Sequence, residues 1–326
     1  MSSAVIASFK GLATGDAIGK QTETLSRAGV QKYYPEGITG FHGRPGEIIP
    51  RYVGKRYEWR IGETTDDTEQ TIAVTRAILQ EGAARHEAIG RELLGCKKSV
   101  HPSVSIWAFQ QLGDAGRVAS DGNGCGAAMR IAPIGVIYPP SRLDDLVQGA
   151  YEGAISTHGG GLAIGAAAAV ACAVSTALDG WPTAEILSAV LQASKRAERF
   201  RSGAAAMAAS IETIYSDLKG KPLVADEIAH KYFPATTETI VPLAISLALI
   251  TESAEHTALL AANIGGDSDS VASIGSAIAG ALRPATVNDG WYDIVRSIND
   301  EYDLVEMAVS LAALRNSGRE VASVVY

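Results

Sequence analysis

Cysteine is scarce in this sequence: Cys96, Cys125 and Cys172 are the three present, far apart and odd in number. No C-x-x-C pair occurs, so neither a thiolate zinc site nor a disulfide framework is indicated. Aromatic residues make up only 6% of the 326 residues, against 34 glycines. That balance favours close packing of small-residue helices over an aromatic-rich β-sandwich. Positive charge is also short, with 28 Lys and Arg against 36 Asp and Glu and a net charge of −8. A nucleic-acid surface normally carries a basic face, so that class of partner is excluded. No H-E-x-x-H is present and the six histidines are scattered, which speaks against zinc again. The opening Met1-Ser2-Ser3-Ala4 lacks the basic region and long apolar run of a signal peptide. With free thiols, this predicts a cytoplasmic protein.

What is present is a core-building composition, 47% hydrophobic and 20% charged. Gly159 to Leu178 is uncharged over about the length of a bilayer span. It is mostly Ala and Gly, with no aromatic belt and no basic flank, so it reads as the buried central helix of a bundle and no membrane is expected. Gly161 and Gly165 would let that helix approach its neighbours closely. Apolar residues recur at helical spacing nearly throughout. Helices are predicted over 4–17, 68–80, 84–94, 143–156, 162–178, 184–196, 203–218, 223–231, 238–251, 254–263, 271–282, 291–298 and 305–317. Gln21 to Glu63 is the main irregular stretch, and a loop of that length usually borders a site. No linker or repeat interrupts the chain. One all-α domain over 1–326 is the expectation.

Acidic residues sit in two tight clusters, Thr64-Thr65-Asp66-Asp67-Thr68-Glu69 and Gly265-Gly266-Asp267-Ser268-Asp269-Ser270. The first precedes an apolar-periodic segment. It reads as a helix start in which Asp66 caps and Glu69 returns the bond, or as a pair of carboxylates for hard cations. In the second, Asp267 and Asp269 would diverge by roughly 200° on a regular helix, so they share a side only if the backbone turns there. An EF-hand is excluded, because the sixth position is Ala272 and the twelfth Ile278. Together the four aspartates would neutralise two divalent cations, and oxygen ligands suit Mg2+ or Mn2+.

Asp16, in Gly15-Asp16-Ala17-Ile18-Gly19, is expected to bond nearby backbone amides, whereas Glu23 opens the long loop and can face a metal site. Asp121 to Arg130 superficially matches a dinucleotide fingerprint, but no βαβ unit surrounds it. What survives is a Gly-rich loop entering a helix, whose free amides could hold a phosphate. Cys125 within it reads as a packed thiol. His158, beside Gly159 and Gly160, has room to meet a substrate. The basic stretch Lys195–Arg201 reads as a solvated helix face.

These pieces, in this order, resemble the ADP-ribosylglycohydrolase family: Gly15-to-Gly19 with Glu23, Thr65-to-Thr68, Asn123-to-Arg130, Thr157-His158 and Gly265-to-Ser270. The resemblance implies an all-α, compact orthogonal multi-helix bundle with a binuclear Mg2+ (or Mn2+) centre. It implies Thr65, Asp66, Asp67, Asp267, Asp269 and Ser270 as metal ligands, and Glu23, Asp66 and Asp269 as catalytic residues. It also implies Gly124, Gly126, Ala127, Met129 and His158 as substrate-binding residues. Two departures stand out: Ser270 where the family usually has Thr, and Cys125-Gly126 inserted near the usual Asn-Gly-Ala-Met-Arg run.

The implied activity is hydrolysis of an N- or O-glycosidic bond at the anomeric carbon of an ADP-ribosyl group. The partner would be an ADP-ribosylated protein or a small ADP-ribosyl compound, and the chain is expected to be a monomer. The alternatives are hydrolysis of another ribosyl compound such as a nucleoside, and a non-catalytic crystallin-like role. Tyr33, Tyr34, Trp59, Tyr232 and Phe233 are candidates to stack on adenine by lying in loops.

Overall fold

A computed structural model describes residues 2–99 and 105–317. Among these residues there is no β-strand, only an isolated bridge between Ile48 and Arg60. The helices are α1 (Ser2–Gly19), α2 (Arg27–Tyr33), α3 (Asp66–Glu81), α4 (His86–Leu93), α5 (Ser105–Leu112), α6 (Gly126–Met129), α7 (Ala132–Ile137) and α8 (Leu143–Ile155). They continue as α9 (Gly161–Leu178), α10 (Thr183–Arg196), α11 (Ala206–Leu218), α12 (Ala225–Tyr232), α13 (Thr237–Thr251), α14 (Ala254–Ile264), α15 (Ser268–Leu282), α16 (Asp289–Ile298) and α17 (Leu304–Asn316).

Thirteen of these coincide with the periodic segments read from the sequence, and four short ones, α2, α5, α6 and α7, do not. Helices α2, α6 and α7 have at most 7 residues, too few for periodicity to register against their Gly- and Pro-containing flanks, whereas α5 is as long as α4 and length does not explain it. Helix α2 lies inside the stretch read as irregular, started by Ser26, whose hydroxyl accepts from the Gly29 amide at 3.1 Å.

Helix α9 is enclosed on all sides, 94% of its 18-residue apolar window being buried among the other helices. It is nearly all Ala, Gly, Val and Ile. Small side chains let neighbouring axes approach, and dispersion contacts then replace the bulk that aromatics would supply. Gly165 lies against the Ala204 backbone, as the Gly161/Gly165 spacing suggested.

The same device builds the seam that positions the site. Gly11, Gly15 and Gly19 recur every fourth residue on α1, which places them on one face. They lie against the carbonyls of Ser276, Ala272 and Ser268 in turn, so α15 runs antiparallel along α1. A Cβ at any of the three would overlap a backbone carbonyl oxygen. Gly15→Val is therefore expected to cost about 3 kcal/mol or more by forcing the two helices apart. Gly82→Ala serves as the comparison. It has positive φ but open space around it, and should cost about 1 kcal/mol. Denaturant unfolding of both variants checks this; equal losses would mean that the seam tolerates separation.

Candidate active site

The N-terminus of α15 and the N-terminus of α3 face one another across the end of α1. Gly265 and Gly266 adopt positive φ (85° and 72°), turning the chain after α14 in a way closed to residues with a Cβ. The turn is pinned by Gly266 N to Leu25 O (2.8 Å), Thr24 N to Gly266 O (2.7 Å) and Asp267 N to Pro234 O (2.8 Å). Asp267 is thus outside the helix as its N-cap residue, with Asp269 in the first turn. That is the backbone turn needed for the two carboxylates to share a side.

At α3 the capping differs from the expectation. The N-cap is Thr65, whose hydroxyl accepts from the Asp67 amide at 3.2 Å, so Asp66 is the first helical residue. Glu69 does not return a bond to the cap; it accepts the amides of Lys97 (2.7 Å) and Lys98 (2.9 Å). The place of a capping box is taken by Asp16 of α1. Fully buried, it accepts from the amides of Thr65 (2.9 Å) and Thr68 (3.2 Å) and from the Thr68 hydroxyl (2.5 Å). Burial pushes the Asp16 carboxyl up to about 6, against the pull of the Thr68 and Thr65 donors. Asp16 does bond backbone amides, but amides of a distant segment.

Between these ends lies a cleft of about 250 Å³. Of the residues read from the sequence, Glu23, Asp66, Asp67, Asp267, Asp269, Ser270, Gly124, Gly126, Met129 and His158 all line it. Thr65 lies behind Asp67, its hydroxyl 3.4 Å from Asp67 Oδ2. Ala127 does not reach the cleft: it is fully buried in the apolar core, because α6 turns that face inward. None of the five aromatic candidates for adenine stacking lines the cleft either. Trp59 is instead buried beneath Lys20, whose Nζ is 4.1 Å from the ring centroid.

Gln70, Ser105, Ile106 and Cys125 also line the cleft. Gln70 was legible in principle, one helical turn from Asp66, whereas Ser105 and Ile106 arrive from a segment with no local signal. Cys125 is more than a packed thiol. Its Sγ lies 3.3 Å from Asp267 Oδ2, and burial with the carboxylates of Asp267 and Asp67 pushes it well above the usual thiol range. Glu23 is ion-paired to Lys20 and accepts from the Tyr52 hydroxyl at 3.2 Å. The Lys195–Arg201 stretch stays apart from the cleft, Arg196 and Arg199 pairing with Asp144 on the surface.

Burial raises the Asp67 and Asp269 carboxyls well above the usual range, and neighbouring carboxylates add to the effect; Asp267 is raised for the same reasons. Asp67 Oδ1 and Asp269 Oδ1 are buried with no hydrogen-bond partner. Unpartnered buried carboxylate oxygens are costly, and so are several like charges around one cleft. The donor chemistry, carboxylates and hydroxyls, fits hard divalent cations. As it stands, no group of three or more His, Cys, Asp or Glu among the described residues is arranged to hold a metal ion. The fit therefore rests on the orphaned oxygens and on the supplementary Thr65 and Ser270 hydroxyls.

His158 forms the opposite wall. Its ring packs against Gly124 and Gly126, where a Cβ on Gly126 would crowd Cε1 and Nε2. Burial, helped by the Arg130 charge, lowers its pKa to about 3. Unfolded, His158 would titrate near 6.5, so the unfolded chain binds the extra proton between those values. The neutral ring's contribution is full above pH 6.5 and is lost as pH falls. The stability difference between wild type and His158→Gln is expected to shrink below pH 6.5, by at most about 1.4 kcal/mol per pH unit. Urea unfolding of both proteins at pH 7, 6 and 5 checks this, and a constant difference would contradict it.

Comparison with known proteins supplies the lineage. The ADP-ribosylglycohydrolase family profile matches residues 2–320. YegU, an uncharacterized protein of Escherichia coli strain K12, is 28% identical over 338 residues, covering 97% of this chain and 98% of its own. An uncharacterized protein of Archaeoglobus fulgidus is 29% identical over 321 residues, covering 93% and 94%. Among solved structures, an ADP-ribosylglycohydrolase-related protein complex superposes with a TM-score of 0.69 at 23% identity, over 96% of this chain and 98% of that one.

Proposed function

The chain belongs to the ADP-ribosylglycohydrolase family, and from that premise we propose that its cleft hydrolyses the bond at the anomeric carbon of an ADP-ribosyl group with two divalent cations. The observation that carries the reading is four aspartates facing one cleft, of which the buried Asp67 and Asp269 each have an orphaned oxygen. Asp66, Asp67, Asp267 and Asp269, with the Thr65 and Ser270 hydroxyls, would hold Mg2+ or Mn2+. When bound, such ions supply Lewis acidity and cancel the repulsion among the carboxylates.

The protein's own groups do the rest. Asp66 and Asp269 line the cleft where positive charge builds on an oxocarbenium-like sugar, and stabilise it. Glu23, held by Lys20 and Tyr52 at the rim, moves the proton between water and the leaving group. The Gly124–Gly126 loop and His158 form the wall against which the ADP-ribosyl group rests. A single domain, a monomer and a cytoplasmic location complete the proposal.

The deciding experiment is chromatographic. Purified protein is incubated with ADP-ribosylated protein, poly-ADP-ribose, O-acetyl-ADP-ribose and unmodified nucleosides, with MgCl2 or with EDTA. Free ADP-ribose is expected from at least one of the first three, only with Mg2+ or Mn2+. Hydrolysis of nucleosides alone would move the assignment to another ribosyl substrate. No turnover on the whole panel would favour a non-catalytic role.

A further inference from the structure

Arg130 is the largest fully buried side chain, its hydrogen bonds go to neutral oxygens, and the carboxylate that acts on it, Asp66, does so without a direct bond. A buried guanidinium with no carboxylate bonded to it is expensive, and burial lowers its pKa to about 10. Its contacts show what it is used for. Nε and Nη2 donate to the Gly153 carbonyl (3.2 and 2.9 Å) in the last turn of α8, where the helix dipole is negative. Nη1 donates to Gln70 Oε1 at 2.8 Å, and Nη2 to Thr157 Oγ1 at 2.7 Å.

Each of the last two bonds fixes a group in the cleft. With Oε1 committed to Arg130, the Gln70 amide must present Nε2 to Asp66 Oδ2, at 3.0 Å. A flipped amide would set oxygen against carboxylate and NH2 against guanidinium. Ser99 donates to the same Asp66 oxygen at 2.6 Å. On the other side, Thr157 Oγ1 accepts from Arg130 and keeps its own proton to give. His158 Nδ1 is at 2.7 Å, much nearer than the Ala154 carbonyl at 3.5 Å. If Nδ1 accepts, the neutral ring carries its proton on Nε2, the nitrogen facing the Gly124–Gly126 loop.

We infer that Arg130 is a positioning residue that sets both walls of the cleft at once, orienting Asp66 through Gln70 and fixing the Nε2–H tautomer of His158 through Thr157. The first arm rests on the cation-binding reading given above; the second does not. The wall so built offers an N–H donor to an acceptor oxygen of the ligand, a ribose hydroxyl or a phosphate.

The test uses Gln70→Met, Thr157→Val and Arg130→Lys in the full-length protein. Mn2+ binding is measured by EPR titration, the His158 tautomer by ¹⁵N–¹H NMR, and folding by thermal melting. Gln70→Met should weaken Mn2+ binding about tenfold and leave the His158 signals in place. Thr157→Val should change the tautomer signature and leave Mn2+ affinity within about twofold of wild type, on the same scale. Arg130→Lys should show both effects; if it does not fold, the two single variants decide. A merely structural role would lower the melting temperature without this split. Either single variant matching wild type in its own readout overturns the inference. Wild-type protein that binds no Mn2+ overturns the cation reading instead, and the tautomer measurement still stands by itself.

Discussion

Asp269→Asn is expected to abolish Mg2+-dependent release of ADP-ribose, by about 10³-fold or more, while making the metal-free protein more stable. The two effects share one cause. Asp269 is 3% exposed, its Oδ1 is unpartnered, and burial with the Glu23, Asp267 and Asp67 charges holds its carboxyl well above the usual range. Without a cation, that charge is a liability. Asn keeps the shape and removes the charge, and the added NH2 finds acceptors in the surrounding carboxylates. Lys20 offsets only part of the repulsion on Asp269, so a neutral isostere should raise stability by about 1–3 kcal/mol. The same change removes a cation ligand and a group that stabilises positive charge at the sugar. Wild type is expected to gain stability on adding MgCl2, and the variant much less. Calorimetry with and without Mg2+, beside the release assay, measures all three. Unchanged hydrolysis would sink the catalytic assignment, and an unchanged or lower melting temperature would show that the cluster is not under electrostatic strain.

Asp16→Ala is expected to destabilise the fold by about 3–5 kcal/mol, the largest loss anticipated for a single polar residue here. Three donors converge on this carboxylate, from the amides of Thr65 and Thr68 and the Thr68 hydroxyl. Alanine would orphan the two amides at the buried start of α3, where water cannot replace the acceptor. The loss would reach the cleft as well, because Asp66 and Asp67 are the first residues of that helix. Asp16→Asn keeps the volume but turns an NH2 toward groups that are themselves donors, so it should recover only part of the stability. Urea unfolding of both variants checks the order wild type, Asn, Ala. A loss below about 1 kcal/mol for alanine would mean that other groups satisfy the α3 terminus.

Both predictions depend on residues whose type was visible in the chain and whose meaning was not. Asp66-Asp67 and Asp267-Ser268-Asp269 can be recognised as candidate ligands because paired carboxylates framed by small hydroxyl residues are uncommon outside caps and cation sites. Their partners are less legible. Glu69 had the spacing of a capping box, yet tertiary packing gave it the Lys97 and Lys98 amides, and Asp16 supplied the cap from another helix. Ala127 belongs to the same motif as Met129 but turns into the core, since successive residues of a helical turn point about 100° apart. Cys125, which reads as mere packing, lies against Asp267 only because the loop before α6 meets the turn before α15.

The helical class, thirteen of the seventeen helices among the described residues and the acidic character of the site were legible in the chain alone, because helical periodicity and clustered charge are properties of neighbours along the chain. The α1 seam is read only from the packing, where Gly11, Gly15 and Gly19 meet the carbonyls of Ser276, Ala272 and Ser268. Tertiary structure alone decided which carboxylates converge, which of their oxygens are left without a partner, and that a buried arginine links the acidic wall to the histidine wall. Those facts arise where separate segments meet, as at Cys125 and Asp267, 142 residues apart, or at Arg130 and Gln70, 60 apart. Burial, which turns a solvated aspartate into a group that needs a cation, exists only once the core around it has closed.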